Sequence, residues 1–142
     1  MQGDYDRAIA DASEAVRLDP KNAFAYGTRG EAYRMKGHFD RAIADASEAI
    51  HLDPTDACAY GTRGQAYSRK GEYNRAVADA SEAIRLDPTD ERAYCLRGDA
   101  YRMKGDYDRA IADLTEALRL APGNEWAYGA GAAAVGGEKP RR

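Results

Sequence analysis

Gly37-His38-Phe39-Asp40-Arg41-Ala42-Ile43-Ala44-Asp45-Ala46-Ser47-Glu48-Ala49-Ile50-His51-Leu52-Asp53-Pro54 is the stretch whose reading decides the fold. Near-copies begin at Gly3, Gly71 and Gly105, so the four glycines stand 34 residues apart. A period held along the chain predicts a stack of one helical unit, each copy burying itself against its neighbours, rather than a globule around one core. Within the stretch, Ala42, Ile43, Ala46, Ala49 and Ile50 recur at three and four residues, which lays an apolar stripe along one helix face. Asp45 and Glu48 are expected on the opposite face.

The segments between the copies have helical spacing too. Tyr26, Gly30 and Tyr33 share a face, repeated as Tyr60, Gly64, Tyr67 and as Tyr94, Gly98, Tyr101, and the small residue between two aromatics predicts a close helix approach. Gly37, Gly71 and Gly105 follow Lys36, Lys70 and Lys104, the pattern of a helix closed by a left-handed glycine with a cation near its negative end. Asp4, Glu72 and Asp106, with Asp6, Asn74 and Asp108 two residues on, are expected to favour the start of the following helix. Asp-Pro at 19/20, 53/54 and 87/88, and Ala121-Pro122, end it, because a residue before proline avoids helical geometry. Asn22, Asp56, Asp90 and Asn124 stand at the natural cap of the next helix.

The expected organisation is one all-α array over residues 1–142. It has an N-terminal half-repeat at 1–22, full repeats at 23–56, 57–90 and 91–124, and a partial helix and tail at 125–142, with Gly136-Gly137 breaking the helix and Glu138 to Arg142 frayed. Apolar residues at 44% and charged residues at 32% are ordinary for a folded soluble chain, and a net charge of −3 argues against a generic polyanion binder. No apolar run approaches the roughly 20 residues of a membrane helix. Met1 leads straight into a charged repeat without a signal segment, so a cytoplasmic protein that does not enter membranes is expected. Cys58 and Cys95 occupy non-equivalent repeat positions and read as reduced thiols.

These residues resemble the tetratricopeptide repeat. Tyr26 stands where that family usually has Trp, Gly30 and Tyr33 match its glycine and tyrosine, Ala42 and Ala49 its alanines, and Pro54 its proline. The same holds for Tyr60, Gly64, Tyr67, Ala76, Ala83 and Pro88, and for Tyr94, Gly98, Tyr101, Ala110, Ala117 and Pro122, while Ala8, Ala15 and Pro20 extend the pattern to the N-terminal half. Arg29, Arg63 and Arg97 depart from it by replacing a customary Leu, and Ala46 and Ala80 replace a bulky residue that Leu114 restores. A long Arg stem covers apolar surface while its head reaches solvent or an acid. The resemblance implies a right-handed superhelical solenoid of antiparallel helix pairs, with first helices lining a concave groove that holds a peptide or partner protein without chemistry.

The chemistry-bearing residues agree with a non-enzymatic, cofactor-free scaffold. His38 and His51 are scattered and give way to Asp or Glu and to Arg in the other copies, so they read as solvated surface positions. Ser13, Ser47, Ser81 and Thr115 recur without a base placed to activate them, and no metal or phosphate-loop spacing is present. First helices sum to +2, +3 and +2 over 23–36, 57–70 and 91–104. Second helices sum to −3, −3, −2 and −2 over 4–19, 38–53, 72–87 and 106–121. Either these charges complement helix dipoles and each other, or they make a basic groove for an acidic peptide.

Helical spacing away from the Tyr-Gly-Tyr stripe selects Phe24, Thr28, Glu31 and Met35; Cys58, Thr62, Gln65 and Arg69; and Arg92, Leu96, Asp99 and Met103 as the groove residues. Some members of the family grip a C-terminal carboxylate with Lys, Asn and Arg on these faces. Here Gly27, Glu31 and Thr62 stand in those places and only Arg92 fits, which disfavours that clamp. Nucleic acid is disfavoured because the aromatics are assigned to packing.

Two alternatives to a groove scaffold concern the ends. The Ala8, Ile9, Ala12, Ala15, Val16 stripe is expected to be exposed in the N-terminal half-repeat, while Trp126 and Tyr128 begin a first helix without its second. These halves would complement one another in a head-to-tail homo-oligomer. Met1-Gln2-Gly3-Asp4-Tyr5 also aligns with Met103-Lys104-Gly105-Asp106-Tyr107, as expected for a fragment of a longer regulatory protein.

Overall fold

The computed structural model describes residues 2–136. Among them the regular structure is entirely helical: α1 (Gln2–Leu18), α2 (Ala23–Met35), α3 (Phe39–Leu52), α4 (Ala57–Arg69), α5 (Tyr73–Leu86), α6 (Glu91–Met103), α7 (Tyr107–Leu120) and α8 (Glu125–Val135). Each helix packs on its successor, and α2, α4, α6 and α8 also touch one another in sequence. The chain is therefore a solenoid of antiparallel helix pairs, with the first helices forming one continuous layer. The glycine at 137, the expected tail from Glu138 to Arg142 and the Met1 alignment lie outside the described residues.

The turns follow the sequence. Gly37, Gly71 and Gly105 have φ of +83°, +81° and +85°, and the next amides, of His38, Glu72 and Asp106, donate back to the carbonyls of Tyr33, Tyr67 and Tyr101 at 2.9 Å. Glycine adopts this left-handed geometry without a Cβ penalty. Gly3 does not adopt it; it lies within α1. Asn22, Asp56, Asp90 and Asn124 each accept a backbone N–H through the side chain and cap α2, α4, α6 and α8. At the starts of the second helices only Asp106 does so; His38 and Glu72 occupy the cap without such a bond, and Asn74 is already inside α5.

The core is thin and made of alanine. Ala42, Ala46, Ala49, Ala76, Ala80, Ala110 and Ala117 are wholly buried, with Leu114 the one large side chain among them. Small residues there let paired helices approach closely, and the glycines opposite are part of the same fit. A Cβ on Gly30 would sit 3.2 Å from Asp45 Cβ and 3.3 Å from the Ala42 carbonyl oxygen, and one on Gly98 would sit 2.9 Å from Leu114 Cγ.

One expectation fails here. Asp45 does not lie on a solvated face; it and its counterparts Asp79 and Asp113 are buried at 7%, 5% and 6% exposure. The Arg residues that depart from the repeat pattern explain this. Arg29, Arg63 and Arg97 each grip the Asp of their own repeat with two hydrogen bonds of 2.7–2.9 Å. A third bond runs to Ser13, Ser47 or Ser81 on the preceding second helix at 3.1–3.2 Å. Each guanidinium also lies over the Tyr three residues earlier, 5.7–6.0 Å from the ring centre. The bidentate pair answers the question of which acid the Arg meets, and ties three helices together in each repeat.

Candidate functional site

The first-helix layer carries a cleft of about 620 Å³ spanning α1, α2, α4 and α6. Nine of the residues selected from the sequence line it: Phe24, Thr28, Glu31, Met35, Cys58, Thr62, Gln65, Arg92 and Leu96. Three do not. Arg69 lies over the Phe39 ring at 5.3 Å, Asp99 holds Arg102 at 2.8 Å, and Met103 sits in the last turn of α6 beyond the cleft. Tyr5, Ala8, Gly27, Arg34, Gly61, Asp56 and Asp90 are lining residues that the spacing argument missed. Asp56 and Asp90 were legible only as helix caps, and the loops that carry them reach the cleft mouth by the stacking of repeats.

Apolar surface is available at one end of the cleft. Phe24 is 80% exposed and Met35 45%, both on α2. In the middle the side chains are already engaged: Thr62 donates to Glu31 across the repeat boundary at 3.0 Å, and Glu31 holds Arg34 on its own helix. Burial acts to raise the Glu31 carboxyl, but the hydrogen bond and charge of Arg34, the Thr62 hydroxyl and the charge of Arg92 together hold it below its ordinary value. Arg92 in turn pairs with the cap Asp90 at 3.0 Å.

A basic groove does not follow from the helix sums. Arg29, Arg63 and Arg97 turn into the helix pairs, and the charged lining is Glu31, Asp56 and Asp90 against Arg34 and Arg92, three carboxylates to two guanidiniums. Linear charge counts assign a residue to its helix, whereas the face of the helix decides what a ligand meets.

The remaining chemistry-bearing groups have structural settings. Ser13, Ser47 and Ser81 accept from arginines. His38 stacks on Tyr33 with ring centres 6.0 Å apart, and His51 is exposed. Cys58 and Cys95 are both free thiols; burial pushes the Cys95 thiol up. Among the described residues there is no cluster of three or more His, Cys, Asp or Glu that could hold a metal, and no helix is long and apolar enough to cross a membrane.

At the ends, the α1 stripe is less open than expected because α1 packs on α2. Ala12 is buried at 6% exposure, and Ala8, Ile9, Ala15 and Val16 are half-buried. Trp126 and Tyr128 on α8 remain 48% and 58% exposed.

Comparison with known proteins places this arrangement. The sequence model of the tetratricopeptide repeat matches residues 2–57 and 62–125. A crystal structure of the MamA protein is similar over 95% of this chain and 74% of that one, at 30% identity and a TM-score of 0.87. The first such domain of Spaghetti (RPAP3), bound to the HSP90 peptide SRMEEVD, is similar over 83% of this chain and 94% of that one, at 25% identity and a TM-score of 0.79. The second domain of human RPAP3, in complex with the HSP70 peptide SGPTIEEVD, is similar over 80% and 94%, at 29% identity and a TM-score of 0.76. No curated protein sequence matches the chain. With the helix pairs stacked in register and the family's sequence model matching residues 2–57 and 62–125, the chain belongs to the tetratricopeptide repeat family.

Proposed function

We propose that this chain is a non-enzymatic protein-interaction scaffold whose cleft holds an extended or helical segment of a partner protein. The observation that carries the reading is the convergence of the nine side chains on one cleft with Phe24 and Met35 exposed at its end. Large apolar side chains left open beside polar ones are the usual surface of a binding groove. The peptide complexes of the RPAP3 domains support the same use of the fold.

The partner differs in chemistry from those two peptides. SRMEEVD and SGPTIEEVD are acidic at their ends, and the near-balance of charge here, with Glu31 ionised and Arg92 already paired, offers such an end little. A segment with one or two large apolar side chains and little net charge suits the lining better than the acidic peptide that the helix sums suggested.

Selection from a random peptide library on the intact chain, at low and high salt, tests this. Enriched peptides should share an aromatic or branched apolar residue, and retention should change little with salt because few charges are newly paired. Phe24→Ala should weaken capture by about tenfold or more, as for an exposed anchor. Enrichment of acidic termini lost at high salt, or no enrichment at all, would defeat the proposal.

A further inference from the structure

One acid of the cleft lining has no cation beside it, and we propose that Asp56, with the Phe24 ring and the open approach over Gly27, is a subsite for an arginine side chain of the partner segment. This rests on the cleft reading and refines it: the largely apolar segment held there carries an arginine next to its anchor.

The charges of the lining single out Asp56. Glu31 is held by Arg34 through two bonds of 2.9 and 2.6 Å, and Asp90 by Arg92 through two of 3.0 and 3.2 Å. Asp56, also in the lining, forms no ion pair among the described residues. Its Oδ1 caps α4, accepting the N–H groups of Cys58 at 3.0 Å and Ala59 at 3.4 Å, while its Oδ2 accepts no hydrogen bond. That second oxygen lies on the α2 side, 3.8 Å from where a Cβ on Gly27 would stand, so the missing side chain of Gly27 keeps the approach to it open.

The next repeat shows what fits such a carboxylate. Asp90 caps α6 in the same way, accepting the Arg92 N–H at 3.0 Å, and at the same time takes that residue's guanidinium on both oxygens. Capping and a bidentate cation are therefore compatible on one aspartate. The residue at Arg92's place beside Asp56 is Cys58, whose short side chain brings no guanidinium. The partner has to supply it.

Phe24 completes the subsite. It stands one helical turn before Gly27 on α2, and both line the cleft. Its 80% exposure belongs to its place in the repeat, because the equivalent Cys58 and Arg92 are exposed with first helices packed on both sides. A carboxylate beside an aromatic face is the pairing this chain already uses inside for Arg29, Arg63 and Arg97, each held by an Asp and laid over a Tyr ring at 5.7–6.0 Å from its centre. Arginine suits it better than lysine, since a planar fork meets two oxygens and stacks on a ring. An acidic residue would meet like charge.

The test uses display libraries of short peptides that are free of Arg and Lys except at one central residue, fixed as Arg, Lys, Gln or Glu, selected on the intact chain. The Arg library should give the strongest enrichment, with a large apolar residue close to the Arg. The best Arg peptide should bind the Asp56→Asn chain at least about tenfold more weakly, the loss of a charge-assisted pair. Asn already caps α2 and α8, so this variant keeps its helix start. The Arg-to-Gln analogue of the same peptide should bind both chains alike, within about twofold, which separates a direct pairing from a damaged cleft. Cys58→Arg should also weaken the Arg peptide, because the chain's own guanidinium then takes Asp56 as Arg92 takes Asp90. Three results overturn the subsite: an Arg library no better than the Gln library, an Arg peptide indifferent to Asp56→Asn, or an equal loss for the Arg peptide and its Gln analogue. If apolar peptides are still enriched in those cases, the cleft reading stands without it. Enrichment from no library at all would defeat both.

Discussion

α1 and α3 carry almost the same residues from Asp6 to Pro20 and from Asp40 to Pro54, yet their shared aspartate has opposite fates. Asp45 is buried and doubly bonded to Arg29; Asp11 is exposed. The difference lies wholly in the neighbouring helix. In a solenoid, a side chain's environment is set by the adjacent repeat, so one sequence can be core in one copy and surface in the next.

Arg63→Met should break the interior half of this comparison most severely. It leaves the 5%-exposed Asp79 without its cation, and loss of one partner of a buried pair costs about 3–5 kcal/mol, read as a drop in the urea midpoint. Adding Asp79→Leu should recover much of it, because the carboxylate no longer needs a partner. A single-variant loss no larger than that of an exposed pair would mean the ladder contributes little.

Next come the glycines. Gly98→Ala puts a Cβ 2.9 Å from Leu114 Cγ and should cost about 1–3 kcal/mol by overpacking. Gly131→Ala, with nothing within 4 Å of its Cβ, should instead gain up to about 1 kcal/mol of helix propensity in α8. Thermal melts of the two variants should therefore move in opposite directions; matching shifts would remove the contrast between interior and end.

Glu31→Gln is expected to have a smaller, pH-dependent effect. The Glu31 pKa is lowered in the fold, so its ionised form contributes stability above the ordinary value of 4.5, and that contribution fades as pH falls through the folded value. With 46% of the side chain exposed, the loss at neutral pH should be under about 1 kcal/mol. Wild-type and variant melting temperatures should converge in acid; a gap that persists there would assign the effect to packing. Asp11→Ala closes the series at within about 0.5 kcal/mol, since it removes an exposed carboxylate from the very position that is buried in α3. A loss approaching that of Arg63→Met would show that α1 and α3 are alike after all.

Much of this was legible before any coordinates. The glycine turns, the caps at Asn22, Asp56, Asp90 and Asn124, and the Tyr-Gly-Tyr approach all depend on residues a few positions apart, and all are in the structure. The misplaced aspartates were legible in principle: Arg29 to Asp45, Arg63 to Asp79 and Arg97 to Asp113 share one offset of 16 residues, with Ser13, Ser47 and Ser81 the same distance before. A helical wheel cannot show such a relation because the partners lie on different helices. The contact of Arg69 with Phe39 on the neighbouring helix is invisible on the wheel for the same reason.

By itself the sequence determined the helices, their turns and the period of stacking, because backbone geometry, capping and apolar periodicity act within one repeat. Only the tertiary structure decided which aspartates are core and which arginines are withdrawn from the cleft. Burial and ion pairing depend on atoms supplied by the next helix over, and nearly identical repeats acquire different roles through the neighbours they meet.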